Sequence, residues 1–417
     1  MDSWTVATIA LLLLAFAAVS HRLERSFVTV AIFFTSAGLV AGPALGLLDL
    51  DLGGEPIKLL AEATLTLVLF ADASRISLPA LRREFTVPAR LLGIGLPLTI
   101  LVGTLVGAAV LPDVSFVEAL VLAVILACTD AALGQPVVTD RRIPSRIRQG
   151  LNVESGLNDG LCVPLFFIAI AIAEAEEGSL SWRGAFELVA EEMGYGVVGG
   201  VAAGALGVIA VRMAQQRGLA DARWLQILTL ATALLAAGIA LGLGGSIFIA
   251  AFVGGFVFGG ARRGAQGEVG YLVDQGGELL NAITFLVFGA VILGPALDDL
   301  TWELVLYALL SLTVVRMLPV AVATLGTRAR LPTTAFLGWF GPRGLASIVF
   351  GVILLEEAAL PHQDTLLLAV VATVGLSVYL HGLSALPLTD RYVRWYESHP
   401  GRPQMEEVPA AEHPTRS

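Results

Sequence analysis

From Trp4 to Pro387 the chain carries, almost end to end, apolar segments close to the roughly 20 residues that a helix needs to cross a hydrocarbon core. Backbone amides and carbonyls in lipid have no water to bond, so a spanning segment must be a helix or a strand of a closed barrel. The strict apolar and polar alternation of a barrel is absent here, which predicts an all-α polytopic membrane protein. Hydrophobic residues fill 56% of the 417 positions and charged ones only 14%, far from a soluble domain. Thirteen spans are predicted, at about 4–20, 27–48, 57–74, 88–111, 116–137, 147–173, 185–212, 223–242, 244–260, 277–296, 301–326, 333–356 and 363–387. Residues 388–417 are left as a short tail.

Charge in the loops checks that count independently of hydropathy. Arg22 and Arg25, Arg75, Arg82 and Arg83, Arg141 to Arg148, Arg212 to Arg223, Arg262 and Arg263, Arg328 and Arg330, and Arg391 and Arg394 all follow odd-numbered spans. Asp49, Asp51 and Glu55, Asp113 and Glu118, Glu174, Glu176 and Glu177, Asp298 and Asp299, and Glu356 and Glu357 follow even-numbered ones. By the positive-inside rule the N-terminus lies outside the cell membrane and the C-terminal tail in the cytoplasm. The net charge of −10 hides this segregation. No basic region precedes the first segment, so it is expected to stay as a helix rather than leave as a signal. Cys128 and Cys162 fall inside spans and are expected to be small core residues.

An odd number of spans suits two six-helix halves in inverted repeat, joined by one linker helix. The expectation rests on parity and on paired interruptions, since interrupted spans at matching places in two halves point to a transporter's binding site. Span five is broken near Cys128-Thr129-Asp130, and span twelve carries Gly341-Pro342-Arg343-Gly344. Gly196, Gly200 and Gly204 in span seven, with Gly255 and Gly259 in span nine, permit close helix approach, either within the chain or in a dimer.

Ionisable groups at this depth are costly and mark function by default. Asp159 of span six is followed by Gly160 and an apolar run, with no basic neighbour on its own face. Such a carboxylate can hold a proton or a dehydrated cation in turn. Ser155 shares its stripe and Glu154 and Asn158 share the next, by i,i+4 spacing. Unwinding of span five would free the Thr129 carbonyl for a cation and turn Asp130 toward half-helix N-termini, with capping as the bland alternative. Glu154 needs a buried cation, and Arg343 of span twelve is expected to supply it. Arg316 of span eleven has Glu278 or Asp274 as candidate partners. Asp72 either lines the ion cavity or pairs with Arg75. His381 reads as a packed or capping histidine.

With those motifs in place, Thr129-Asp130, Glu154-Ser155, Asn158-Asp159 and Gly341-Pro342-Arg343-Gly344, the chain resembles the monovalent cation:proton antiporter family, which includes the archaeal and bacterial sodium/proton antiporters and the animal exchangers. The resemblance implies a homodimer, with core helices at about 88–173 and 301–387 moving like an elevator against dimerisation helices at about 4–74 and 185–296. It also implies that Asp159 carries cation or proton. Ser155 and the Thr129 carbonyl would help to coordinate, Asp130 would steady the crossed helices, and Glu154 would pair with Arg343. The Asn158-Asp159 pair goes with electroneutral exchange in that family. Two departures bear on ion choice: Ala131 stands where many members have proline, and Asp72 stands in for a glutamate of the third helix.

The expectation is secondary-active exchange of Na⁺, with Li⁺ or K⁺ as alternatives, for H⁺. The bilayer is the partner; nucleic acid, nucleotide and bound cofactor are not called for. Two rivals are an intramembrane serine hydrolase using Ser155 with His381 as base, and a passive cation channel.

Overall fold

The computed structural model describes residues 3–23, 26–48, 55–76, 86–261, 270–327 and 329–399. Arg25, Asp49, Asp51, Arg82, Arg83, Arg262, Arg263, Arg328 and most of the predicted tail lie outside those residues. Within them the chain is helical and contains no strand. Eight helices are long and apolar enough to cross a membrane and four more are shorter. A charged one, Glu55–Arg75, completes the series of thirteen spans.

In chain order these are α1 (Ser3–Leu23), α2 (Val30–Leu39, extended by a π turn over Val40–Ala44) and α3 (Glu55–Arg75). Next come α4 (Thr86–Val110), a broken span of α5a (Phe116–Ile125) and α5b (Gln135–Val138), and α6 (Ser145–Glu176). Then follow α7 (Trp182–Gln216), α8 (Ala222–Leu243), α9 (Ile247–Ala261), α10 (Tyr271–Asp299) and α11 (Trp302–Ala323). A second broken span, α12a (Leu331–Trp339) and α12b (Leu345–Glu357), leads to α13 (Gln363–Glu397).

The last helix runs ten residues past its expected end at 387, through Pro387. Its far end is tied down: Arg142, in the loop before α6, bonds both Asp140 and Asp390, at 2.6 and 2.9 Å. Partial burial raises the Asp140 carboxyl, but the hydrogen bonds and charge of Arg142 outweigh it and hold it below the usual carboxylate range.

Two sets of helices pack mainly among themselves. One joins α7 to α8 and α9, α9 to α3, and α10 to α3 and α2. The other joins α4 to α5a and α11, α5a to α6, α11 to α13, and α12b to α13. Small residues set the first. A Cβ on Gly196, Gly200 or Gly204 would lie 2.9, 2.6 or 2.7 Å from the carbonyl of Ser246, just before α9, or of Ala250 or Gly254 on it. One added on Gly255 or Gly259 would collide with the Phe70 or Ser74 carbonyl of α3. The glycines of α7 and α9 therefore serve packing within the chain. Gly200→Leu is expected to cost about 2–3 kcal/mol, lowering the unfolding temperature in detergent. Gly194→Leu, on the same helix but with nothing within 4 Å of its Cβ position, should leave that temperature unchanged.

Candidate functional site

Both broken spans lose their helix where the sequence calls for it, and they cross there. The helix α5a stops at Ile125, and residues 127–134 are irregular before α5b; α12a stops at Trp339, and α12b restarts at Leu345. Each break is completed by the other. The Asp130 amide donates to the Pro342 carbonyl at 2.8 Å, while the Asp130 carboxylate accepts from the Leu345 amide at 2.9 Å and from Ala132 at 2.7 Å. Asp130 thus sits at the positive end of α12b, where a negative charge is favoured.

In the opposite direction, Arg343 Nη1 donates to the Ala127 and Cys128 carbonyls at 3.2 and 3.1 Å, and Ser347 donates to the Ile125 carbonyl at 2.8 Å. These bonds satisfy groups that the end of α5a leaves bare. The second break needs both its glycines. A Cβ at Gly341 would run into the Arg316 guanidinium, and one at Gly344 into the Asp130 carboxylate.

The helix α6 lies across this junction. Ser155 donates to the Thr129 carbonyl, and Asn158 Nδ2 donates to the Ala127 carbonyl at 2.9 Å and to Thr129 Oγ1 at 3.1 Å. Carbonyls freed by the unwinding of span five are therefore already bonded by protein donors, the Thr129 oxygen included. Asn158 also accepts from Cys162 at 3.2 Å. Asp159, one turn beyond Ser155, is 7% exposed. Thr129, Asp130, Glu154, Ser155, Phe340 and Pro342 are among the residues lining a cavity at the crossing.

Glu154 does not pair with Arg343. Its two oxygens take Arg316 Nη1 and Nη2 at 2.6 and 2.8 Å, a two-point bond between side chains 2% and 3% exposed. The reason is that Arg343 falls in the non-helical link, where its guanidinium is drawn to the carbonyl end of α5a. Arg316 lies in helix just beyond a bend at Thr313, with the backbone there at φ −110°, ψ −86°, and Gly341 makes room for it. The expected partners of Arg316, Asp274 and Glu278, lie elsewhere: Asp274 bonds Arg75 at 2.7 Å.

Of the two surroundings expected for Asp72, the structure shows the contact with Arg75, and Asp72 is not among the residues lining the cavity at the crossing. It lies 3.5 Å from Arg75, and a Cβ on Gly156 would touch its side chain at 3.4 Å, so α3 presents it to α6 beside Ser155. His381 is a packing and bonding residue, with Nδ1 3.1 Å from Ser377 Oγ and Nε2 3.0 Å from the Trp339 carbonyl. Ser155 and His381 are thus engaged by different partners, and the nucleophile and base of a hydrolase are not assembled. The sequence marks Arg316 as a buried cation but not Glu154 as its partner, and Glu118 is an anchor that sequence reasoning passes over. Glu118 closes a capping box with Ser115 and holds the His362 amide at 2.9 Å, and its Ser-x-x-Glu signature was readable.

The family model described as sodium/hydrogen exchanger, transmembrane, matches residues 8–391. A probable Na⁺/H⁺ antiporter of Schizosaccharomyces pombe is 26% identical over 78% of this chain and 45% of its own length. A second Na⁺/H⁺ antiporter of that yeast is 29% identical over 58% of this chain and 54% of its own. This chain thus spans about half the length of these curated relatives. The K⁺/H⁺ antiporter NhaP of Alkalimonas amylolytica is 23% identical over 94% of this chain and 66% of its own length. Among solved structures, the sodium proton antiporter MjNhaP1 of Methanocaldococcus jannaschii superposes with a TM-score of 0.77 at 20% identity, covering 93% of this chain and 98% of that one. That likeness establishes the shared fold.

Proposed function

The chain belongs to the sodium/hydrogen exchanger family, and from that premise we propose that it exchanges a monovalent cation for protons across the cell membrane, with Asp159 holding each in turn. Na⁺ is the first choice of cation, with K⁺ and Li⁺ next, in keeping with relatives named for Na⁺ and for K⁺. The observation that carries the reading is how the buried carboxylates of the crossing are used. Glu154 is held by Arg316 at both oxygens and Asp130 by backbone amides, so both are fixed in the architecture. Asp159, buried on α6 one turn beyond Ser155, is the carboxylate to which the exchange is assigned.

An ionised carboxylate at this depth is costly. One proton or one monovalent cation neutralises it, and both together would overshoot. Competition for one place couples the two flows, and the carboxylate is neutralised once by either ion, which supports one-for-one electroneutral exchange. Alternation of access is assigned to the helix set of α4 to α6 and α11 to α13 moving against α1 to α3 and α7 to α10 in a homodimer. The separate packing of the two sets supports that division. The positive-inside pattern supports an outside N-terminus and a cytoplasmic C-terminus.

The test is a pH dye trapped in proteoliposomes, with Na⁺, Li⁺ and K⁺ added in turn. Dequenching by at least one ion, at a rate unchanged by an imposed membrane potential, is the expected outcome. Cation flux without proton movement would indicate a passive pore, and a steep voltage dependence would remove the one-for-one stoichiometry.

A further inference from the structure

A second polar recess lies away from the crossing, on the Arg-rich face, between α3 and α10. It is lined by Arg75, Asp274, Glu278 and Asn281 among apolar neighbours. Asp274, Glu278 and Asn281 recur at i, i+4 and i+7, one stripe of α10. Asn281 is 7% exposed, and its Oδ1 accepts no hydrogen bond among the described residues. A buried carbonyl oxygen left in that state is unfavourable unless a donor or a cation reaches it.

We propose that this recess is a waiting site for one alkali cation, held by Asn281 Oδ1 and the carboxylates of Asp274 and Glu278, from which the ion passes by way of Asp72 to α6. The proposal rests on the exchange reading above. Every donor is an oxygen, which suits a hard cation and disfavours the metals that seek nitrogen or sulfur. The donors are fewer than the six to eight that Ca²⁺ takes. Arg75 already places a positive charge there, 2.7 Å from Asp274 and 3.5 Å from Asp72. It is a tethered counter-charge that keeps the cluster from holding an ion too firmly. Asp72 joins the two sites, bonded to Arg75 on one side and packed against Gly156, next to Ser155, on the other.

The experiment uses the full-length protein and radioactive Na⁺ as probe, in two measurements. In purified protein at alkaline pH, Asp159→Asn should keep a saturable, weaker Na⁺ site that the added substitution Asn281→Leu removes. In proteoliposomes, Asn281→Leu alone should raise KM for Na⁺ on the Arg-rich side about tenfold, as expected for loss of one polar contact to a charge. Its kcat should stay near that of the parent, and Asn281→Asp should restore the low KM. If Asp159→Asn binds no Na⁺ while the parent binds and exchanges it, the waiting site is overturned and the exchange reading stands. An unchanged KM and unchanged residual binding in Asn281→Leu overturn it equally. If the parent exchanges no cation but the Asn281-dependent binding persists, the exchange reading falls and the site survives.

Discussion

Asp159→Asn is expected to reduce pH-driven cation flux to the level of empty liposomes while leaving a folded, monodisperse protein. The amide keeps the size of the carboxylate and much of its hydrogen bonding but can neither take a proton nor offset a cation in dry surroundings. Loss of one buried counter-charge amounts to about 3–5 kcal/mol, or more than a hundredfold in ion affinity. Folding should not suffer, because the substitution removes a buried charge rather than creating one. The fluorescence of a trapped pH dye reads the flux, and size-exclusion chromatography reads the fold. Sodium-coupled proton movement at parental rates in this variant would remove Asp159 from the mechanism.

The second large effect concerns the buried ion pair. Arg316→Met should lower stability by about 3–5 kcal/mol, because Glu154 is then an isolated charge among apolar helices. Combining it with Glu154→Gln should recover most of the loss, since a neutral pair of similar volume has no charge to strand. Glu154→Gln combined with Arg343→Met should show no such recovery, because Arg343 bonds carbonyls of the break after α5a and not the carboxylate. Thermal unfolding of the three single and two double variants in detergent gives the coupling energies directly. Additive losses for Glu154 and Arg316 would contradict the two-point bond.

How far the sequence carries is clear from these same residues. The thirteen spans and the places where two of them break were legible, since hydropathy, loop charge and the Thr129-Asp130 and Gly341-Pro342 interruptions are local features. Partner choice was not. Periodicity tells which residues share a stripe while the helix lasts, but Arg343 lies where the helix has stopped, so its direction had to come from three-dimensional packing. The freed carbonyls expected in span five were themselves a clue, because an arginine in the facing break can satisfy them. Arg316 gave no comparable sign: its place depends on a bend at Thr313 and on the bare Cα of Gly341 across from it.

For Asp72 one of two readings holds, the contact with Arg75 one turn on, because i,i+3 spacing is a local feature, whereas its approach to Gly156 of α6 depends on packing. Asn281 gave no signal at all. An asparagine in an apolar helix looks the same in sequence whether or not its oxygen has found a donor.

The mutual completion of the two broken spans has a consequence for how such a chain can change. Asp130 finishes one helix by closing the start of another, and Arg343 returns the favour to the first, so neither irregular stretch has a self-sufficient alternative. Drift in one strand of this crossing must be matched in the other, and recombination that separated the halves of the gene would leave both ends frayed. The irregular backbone of this crossing is therefore not free to vary one side at a time.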